Sequence, residues 1–471
     1  MQQEEAFRDT IGTIDEAGKR KWIYPKKPKG KLTTYRTYVS WILLFLLFLG
    51  PHLKRNGEPL FLFNLIERKF ILFGSVFWPQ DFYLFGLAMV TLIVFIVLFT
   101  VVYGRVFCGW VCPQTIFMEM VFRKIEYWID GDYKQQQRLA KLKWNREKIS
   151  KRVLKHSIFF LISFGIANTF LAYVIGADAL IAKQTGPVSE NMGTLLALIL
   201  FTGIFYFVFS WFREQVCIVA CPYGRLQGVM LDRNSIVVAY DYIRGELRGK
   251  FKKNEDRKES GKGDCIDCNQ CVAVCPTGID IRNGTQLECV NCTACIDACD
   301  QMMDAVNLPR GLIRFTSEEG ITKQKQRKIT IRSVAYTFIL VLLLGVLGYL
   351  LGERPPTDTT VLRTPGMLYQ ERDNGTFSNL YNWKTVNKST NVMKIEFRSL
   401  TEGTVLEMVG KQDISLPTGE VGEGAFFLIV SQEQLDGLKT KQRIGVYANG
   451  QLLEEIETNF LGPVYLKSSK K

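Results

Sequence analysis

The chain has 471 residues, 47% of them apolar and 12% aromatic, which is too long for one ordinary domain and too apolar for a disordered polymer. Its net charge is +13, yet from Pro355 onward it carries 13 Lys/Arg against 14 Asp/Glu, so the whole basic excess lies among the long apolar runs before it. Basic flanks around apolar runs mark a membrane protein rather than a nucleic-acid binder, and 2 histidines against 12 cysteines exclude most His-dependent metal and haem chemistry.

In chain order, residues 1–36 form a polar, mixed-charge segment. No small-residue cleavage site follows the first apolar run, so that run is expected to stay as an anchor. Five segments approach the roughly 20 apolar residues that a bilayer requires: Thr37–Leu53 (the shortest), Phe82–Tyr103, Ser157–Gly176, Met192–Phe212 and Ser333–Gly352. Leu60–Trp78 is also apolar but is broken by Glu67, Arg68 and Lys69, and reads as an interfacial or re-entrant stretch. Lys/Arg counts orient the spans. There are 9 up to Arg36, 12 from Arg105 to Lys155 and 18 from Arg213 to Lys328, against 4 and 1 in the alternate connections. The positive-inside bias therefore expects the N-terminus in the cytoplasm and the C-terminus outside. Beyond Arg354-Pro355-Pro356 cysteine disappears and short β-rich runs begin: Met393–Phe397, Val405–Val409, Ala425–Ser431 and Arg443–Tyr447. Asn449-Gly450 is a strong hairpin signal, and the whole suggests an immunoglobulin-like β-sandwich.

All cysteines fall into four motifs. Cys265, Cys268, Cys271 and Cys275-Pro276 form the bacterial ferredoxin run C-x2-C-x2-C-x3-C-P. Cys289, Cys292, Cys295 and Cys299 repeat it, with Asp300 in place of proline. Three thiolates of a run wrap one face of an iron–sulfur cube and the fourth ligand comes from the other run. One [4Fe–4S] cluster is thus expected on Cys265, Cys268, Cys271 and Cys299, the other on Cys289, Cys292, Cys295 and Cys275. Zinc, the ordinary alternative for paired C-x2-C knuckles, has no use for a third cysteine in each run.

Cys108-Gly-Trp-Val-Cys112-Pro113 follows the second span and Cys217-Ile-Val-Ala-Cys221-Pro222 the fourth, each preceded by an arginine (Arg105, Arg213) and followed by a helix-compatible run. This is an internal repeat of span, C-x3-C-P and cytoplasmic helix. Proline suits the first helical position, which puts Cys112 and Cys221 at the N-cap, where the helix dipole and nearby arginines favour thiolate. Each pair can clamp a soft metal; the plain alternative is a buried apolar cysteine. Pseudo-twofold packing of the two hairpins brings the four thiols to one site, where convergent thiolates need a cation or cluster. Copper is the first expectation there and a third iron–sulfur centre the alternative. Met118, Met120 and Met230 read as core or lipid-facing rather than as copper ligands. His52 and His156 lie at opposite ends of their spans, against a shared haem. No dinucleotide or phosphate-binding glycine motif is visible, so the electron donor is external.

These motifs in this order resemble the cytochrome c oxidase accessory proteins of the FixG/CcoG type, over nearly the whole chain. The resemblance implies a membrane polyferredoxin that reduces Cu(II) to Cu(I) for assembly of a cbb3-type oxidase, with Cys108, Cys112, Cys217 and Cys221 handling copper. The expected architecture is a multi-domain membrane protein. It has a cytoplasmic segment (1–36), a four-helix membrane domain (37–232), a two-cluster ferredoxin domain (233–328), a fifth span (333–352) and a periplasmic immunoglobulin-like β-domain (357–471). The expected location is the inner membrane. Expected partners are the lipid bilayer, an external electron donor, and a copper transporter, copper chaperone or oxidase subunits. A homodimer is an allowed assembly and no nucleic acid is involved. The rival functions are a quinol-dehydrogenase-like conduit to an exterior reductase and a redox-silent assembly scaffold.

Overall fold

The computed structural model describes residue 13 and residues 19–463, apart from 56–57, 66–68, 73–74, 78–80, 253–256, 258, 324–330, 367, 373–374, 390, 411–413 and 449. Glu67, Arg68, Trp78, Asn449 and the stretch 464–471, on which parts of the expectations fall, lie outside the described residues. Two compact units emerge. The first joins Met1–Pro51 to Gly86–Gly345, and the second joins His52–Phe85 to Val346–Lys471.

Five helices are long and apolar enough to cross a membrane: Lys31–His52, Phe82–Tyr103, Arg146–Ile175, Met192–Phe212 and Ile331–Gly352. The second and fourth coincide with the apolar runs. The first and third start earlier because polar residues continue the helix. Asn145 caps the third by accepting the Lys148 N–H at 2.8 Å.

In the first unit, the chain after the first C-x3-C-P motif runs through Pro113–Ile116, a π-helical stretch Phe117–Phe122, and Arg123–Ile129. This helix packs into the bundle. Ile116, Phe117, Met118, Met120 and Phe122 are buried with Leu44, Phe159, Ile166 and Phe209 of the first, third and fourth spans. Phe122 stacks on Phe209 at 4.5 Å between ring centroids and meets Phe159 edge-on at 4.8 Å. Its apolar side chains outnumber its charges, and three of its four charges are in ion pairs, Glu119 with Arg123 at 3.1 Å and Glu126 with Arg213 at 2.7 Å, while Lys124 lies over the Trp41 ring. The counterpart after the second motif, Pro222–Met230, is only partly covered, so the repeat is not symmetric. Met118 and Met120 are core residues, as read, and the wider π turn lets both reach the same core.

The ferredoxin region of this unit pairs strands Val237–Tyr240 and Ile313–Thr316 and holds helices Gln270–Ala273 and Ala294–Ala305. Cys275-Pro276 follows the end of the short helix, whereas Cys299-Asp300 sits inside the long one. A proline at 300 would remove a helical N–H mid-helix. Asp300 keeps it, and its carboxylate accepts the Gly311 N–H at 2.9 Å.

In the second unit, two antiparallel sheets face each other. One is ordered Val405–Val409, Val421–Ser431, Thr376–Asn387, Thr357–Arg363, and the other Ile414–Leu416, Met393–Ser399, Lys439–Ala448, Gln451–Leu461. Trp383, Phe397, Phe426, Ile444 and Val446 fill the space between them. All four β-rich runs are strands, and the last two strands of the domain pair as far as Ala448 and Gln451, with Gly450 before the last at φ 83°. The 60–78 stretch departs from expectation. Its described residues form a three-stranded sheet (Phe61–Asn64, Lys69–Leu72, Ser75–Phe77) with Leu62, Ile71 and Val76 buried on one face. Alternation at period two fits a half-buried sheet better than a lipid-facing loop. Asp81 is buried in the same unit, where Lys388 meets it at 2.8 Å and Arg354 also pairs with it.

Candidate functional site: a line of cysteines

Two cavities in the ferredoxin region are walled by cysteine. One of about 330 Å³ is lined by Cys265, Cys268, Cys271 and Cys299, together with Tyr240 and Arg282. The other, about 360 Å³, is lined by Cys275, Cys289, Cys292 and Cys295, and by Cys271, which borders both. Each cavity therefore collects three cysteines of one run and the fourth of the other. Electrostatics groups them the same way. Burial pushes the Cys299 thiol up to about 12, with Cys271, Cys268 and Cys265 adding to the rise. Burial likewise pushes Cys289 up to about 12 despite a backbone hydrogen bond from Asn291, with Cys275 and Cys292 adding to it. Thiols so placed resist ionisation until a cationic body neutralises them.

The residues fit a cubane cluster on three counts. Four thiols surround each void. Among the described residues no three Cys, His, Asp or Glu side chains close on a single ion, which would need sulfurs about 3.8 Å apart at zinc–sulfur bonds of about 2.3 Å. In the second cavity the buried Asn291 Nδ2 has no hydrogen-bond partner among the described residues, leaving a donor for an inorganic or cysteine sulfur.

The membrane cysteines adjoin the second cavity. Cys108 packs on the buried cluster of Val274, Val290 and Cys292. Gly109 fits because it has no side chain: a Cβ there would lie 2.5 Å from the Val290 carbonyl oxygen. Arg36 fastens the same turn by donating to the Gly109 carbonyl at 2.7 Å. From the other motif, Cys217 lines a cavity of about 340 Å³ with Pro276, Thr277 and Val290. Cys108 and Cys217 each lie within electrostatic reach of the other three membrane thiols or most of them, Cys108 of Cys112 and Cys221 and Cys217 of Cys112, Cys108 and Cys221.

Cys112 and Cys221 are the N-caps of Pro113–Ile116 and Pro222–Met230, with proline at the first helical position, as the spacing implied. The two preceding arginines do not act alike. Arg105 is turned to Gln227 (2.9 Å) and to the Cys289 carbonyl (3.4 Å). Arg213 is neutralised by Glu126 through two hydrogen bonds of 3.0 and 2.7 Å. Burial pushes Cys108 up to about 11 against the pull of Arg105, and pushes Cys217 up to about 12. At Cys108 burial outweighs Arg105, and at Cys217 the Thr115 hydrogen bond, not an arginine, opposes it.

Sequence reasoning missed Gln227 and Asn291. Gln227 is fully buried, and its Oε1 accepts from Arg105 and, at 3.3 Å, from the Cys108 thiol. Its position, six residues past Cys221, carried no motif. Asn291 Oδ1 accepts the Val238 N–H at 3.2 Å and ties the second run to the strand pair. The signal available was its place inside Cys289-x2-Cys292.

Comparison with known proteins agrees with this layout. The family of 4Fe–4S dicluster domains matches residues 212–318, a 4Fe–4S binding domain matches 85–134, and the Ig-like fold at the C-terminus of FixG matches 347–463. Protein RdxB of Cereibacter sphaeroides is 35% identical over 390 residues, covering 79% of this chain and 80% of RdxB. Nitrogen fixation protein FixG of Rhizobium meliloti is 36% identical over 308 residues, covering 64% of this chain and 58% of FixG. A crystal structure of a FixG-related protein from Vibrio parahaemolyticus covers 23% of this chain and 97% of its own, at 23% identity and a TM-score of 0.20. With its membrane spans, its paired cysteine cavities and a relative this similar over four-fifths of its length, the chain belongs to the FixG-like family of membrane iron–sulfur electron-transfer proteins.

Proposed function

We propose that this protein carries single electrons to the thiols of Cys108, Cys112, Cys217 and Cys221, and there reduces Cu(II) to Cu(I) for assembly of a cbb3-type oxidase. The contact of Cys108 and Gly109 with the Val290–Cys292 loop carries this reading, because it leaves no intervening layer between the membrane motif and the second cysteine set. Cys265, Cys268, Cys271 and Cys299 would hold one [4Fe–4S] cluster, and Cys275, Cys289, Cys292 and Cys295 the other. Bound there, the clusters supply one-electron storage. Cys271 borders both cavities and Cys108 borders the second set, so the sites form one line ending at the membrane thiols. Thiolate ligands favour Cu(I) over Cu(II), which draws the electron to that end. The ferredoxin region faces the cytoplasm in this reading and the β-domain faces the periplasm.

A second reading has its own support. The 4Fe–4S binding domain match at 85–134 spans Cys108 and Cys112, and the four thiols are not closed on one ion. In that case they hold a third cluster and copper meets the protein at its rim. One experiment separates the readings: iron, sulfide and copper analysis with Cu(I) formation measured on the wild type and on Cys112→Ser/Cys221→Ser. Loss of Cu(I) formation with about eight iron retained in both supports copper at the thiols. About twelve iron in the wild type and eight in the variant supports the third cluster. Full Cu(I) formation by the variant overturns the role of the thiols.

A further inference from the structure

Between the first, third and fourth spans lies an apolar cavity of about 600 Å³, the largest of the cavities in this unit described above and here. Phe205, Phe209 and Phe117 supply aromatic walls, and Thr169 and Tyr173 supply hydroxyls. The Tyr173 hydroxyl donates to the Leu47 carbonyl at 2.9 Å, which fixes its ring at the cavity edge. Pro113 and Gln114, the residues that follow Cys112, line the cavity as well. Gln114 also lines the cavity walled by Cys217, Glu119, Arg213 and Glu214. One amide side chain thus separates an apolar chamber at membrane depth from a charged one beside a redox thiol. Among the described residues its only hydrogen bond is a long one, Nε2 to the Arg213 carbonyl at 3.4 Å, so its Oε1 remains an acceptor for a ligand hydroxyl.

We propose that this chamber binds an isoprenoid quinol, with the ring against Gln114 and the tail toward the lipid, as an electron source for the membrane thiols. The chemistry matches on each side. An aromatic, apolar pocket takes a quinone ring and its tail. The amide oxygen accepts a quinol hydroxyl. Beyond Gln114, the carboxylates of Glu119 and Glu214 in the neighbouring cavity are the nearest acceptors for the released protons. The step balances as QH2 + 2 Cu(II) → Q + 2 Cu(I) + 2 H⁺. Two cupric ions are reduced in succession, two O–H bonds break, and both protons pass to solvent. Thiolate ligands favour Cu(I) over Cu(II), which draws electrons from the quinol toward the copper. The electron-accepting half rests on the copper reading above; the binding half does not.

The test uses the full-length protein in lipid nanodiscs, with a photoreactive azidoquinone as the probe and mass spectrometry of the labelled peptides as the readout. Label is expected on peptides carrying Gln114 and Thr169–Tyr173, displaced by excess unlabelled quinone but not by added phospholipid. Thr169→Trp fills the chamber and should cut this label at least tenfold while iron content stays at the wild-type level. Leu161→Trp, on the lipid-exposed side of the same helix, should leave it unchanged. If Thr169→Trp loses its iron, Ile166→Trp replaces it with the same expectation. Undiminished label in the iron-replete filling variant, or displacement by phospholipid and not by quinone, overturns the proposal and makes the chamber an acyl-chain slot. Copper is examined separately with dithionite-reduced protein. If that protein forms no Cu(I), the copper reading fails whatever the label shows; if Cu(I) forms but the label does not map here, only the quinol proposal fails.

Discussion

Asp297, midway between Cys295 and Cys299, caps the first membrane helix 264 residues earlier in the chain through Thr33. Its Oδ2 accepts both the Thr33 N–H and the Thr33 hydroxyl at 2.7 Å, and its Oδ1 accepts the Leu32 N–H at 3.2 Å. The residue at the cap position itself, Gly30, has no side chain to offer and sits at φ 151°. A Cβ on it would fall 2.2 Å from the Asp297 carboxyl carbon. The second cysteine run and the first span are therefore one mechanical piece.

Replacing Asp297 by Ala should destabilise the first unit by about 1–2 kcal/mol, the usual value of a helix cap, with Asn intermediate. Thermal unfolding in detergent, followed by loss of cluster absorbance, measures it. An Ala variant as stable as the wild type would show that water replaces this cap at no cost.

The crossed cysteine sets give a second prediction. In Cys299→Ala the cavity lined by Cys265, Cys268 and Cys271 loses its fourth thiol, whereas the other set is untouched. Iron should fall by about half, from roughly eight per chain, with one reduced-state EPR signal lost and one retained. Survival of both signals would mean that the runs are not exchanged.

Five long apolar helices, the gathering of eight cysteines about two cavities and four strands of the sandwich were legible because each follows from a short-range rule: apolar length, cysteine spacing or alternation. The three-stranded sheet after the first span was not, because Phe61–Asn64 and Lys69–Leu72 are four residues each and read as a broken apolar run until their pairing is known. Nor was the insertion of 113–129 into the bundle. Its Glu119, Arg123 and Glu126 look like a solvated face, and become compatible with burial only through Arg213 and Glu214, ninety residues away. The same tertiary pairing removed Arg213 from the thiol it precedes. Gln227 and Asn291 act through position, which spacing does not encode.

The basic loops predict an orientation. The positive-inside rule would put the ferredoxin region in the cytoplasm and residues after Gly352 outside. A phosphatase active only after export, fused after Lys471, should be active in cells, and the same enzyme fused after Arg314 should not. The reverse pattern would invert the protein in the membrane.

Glu126 predicts a pH dependence. Burial raises its carboxyl pKa, but Arg213, Lys155 and Arg123 more than offset this and hold it below the usual carboxylate value. A depressed folded-state value contributes stability that is present above the unfolded pKa, about 4.3, and is lost as pH falls through the folded one. The melting temperatures of wild type and Glu126→Gln should therefore differ at pH 7 and converge as pH drops below about 4. At neutral pH the gap should be large, because Arg213 then stays buried with only its longer pair to Glu214 at 3.6 Å, and breaking a buried ion pair costs about 3–5 kcal/mol. A gap independent of pH would show that Glu126 is not ionised in the folded state.

Gly109 tests the junction between the membrane motif and the second cysteine set. An added methyl at this position would meet the Val290 carbonyl oxygen at 2.5 Å and the Asn291 carbonyl oxygen at 2.9 Å. Both are backbone atoms of the loop between Cys289 and Cys292 and cannot swing aside. Gly109→Ala must therefore push the turn carrying Cys108 away from that loop and strain the Arg36 hydrogen bond to residue 109. The eight ferredoxin cysteines do not move with it, so iron content and EPR signals should match the wild type. What should change is transfer between the two sites. After stopped-flow reduction, Cu(I) formation should slow by tenfold or more while reduction of the clusters keeps its wild-type rate. Equal Cu(I) rates in both proteins would show that electrons do not cross at the Gly109–Val290 contact.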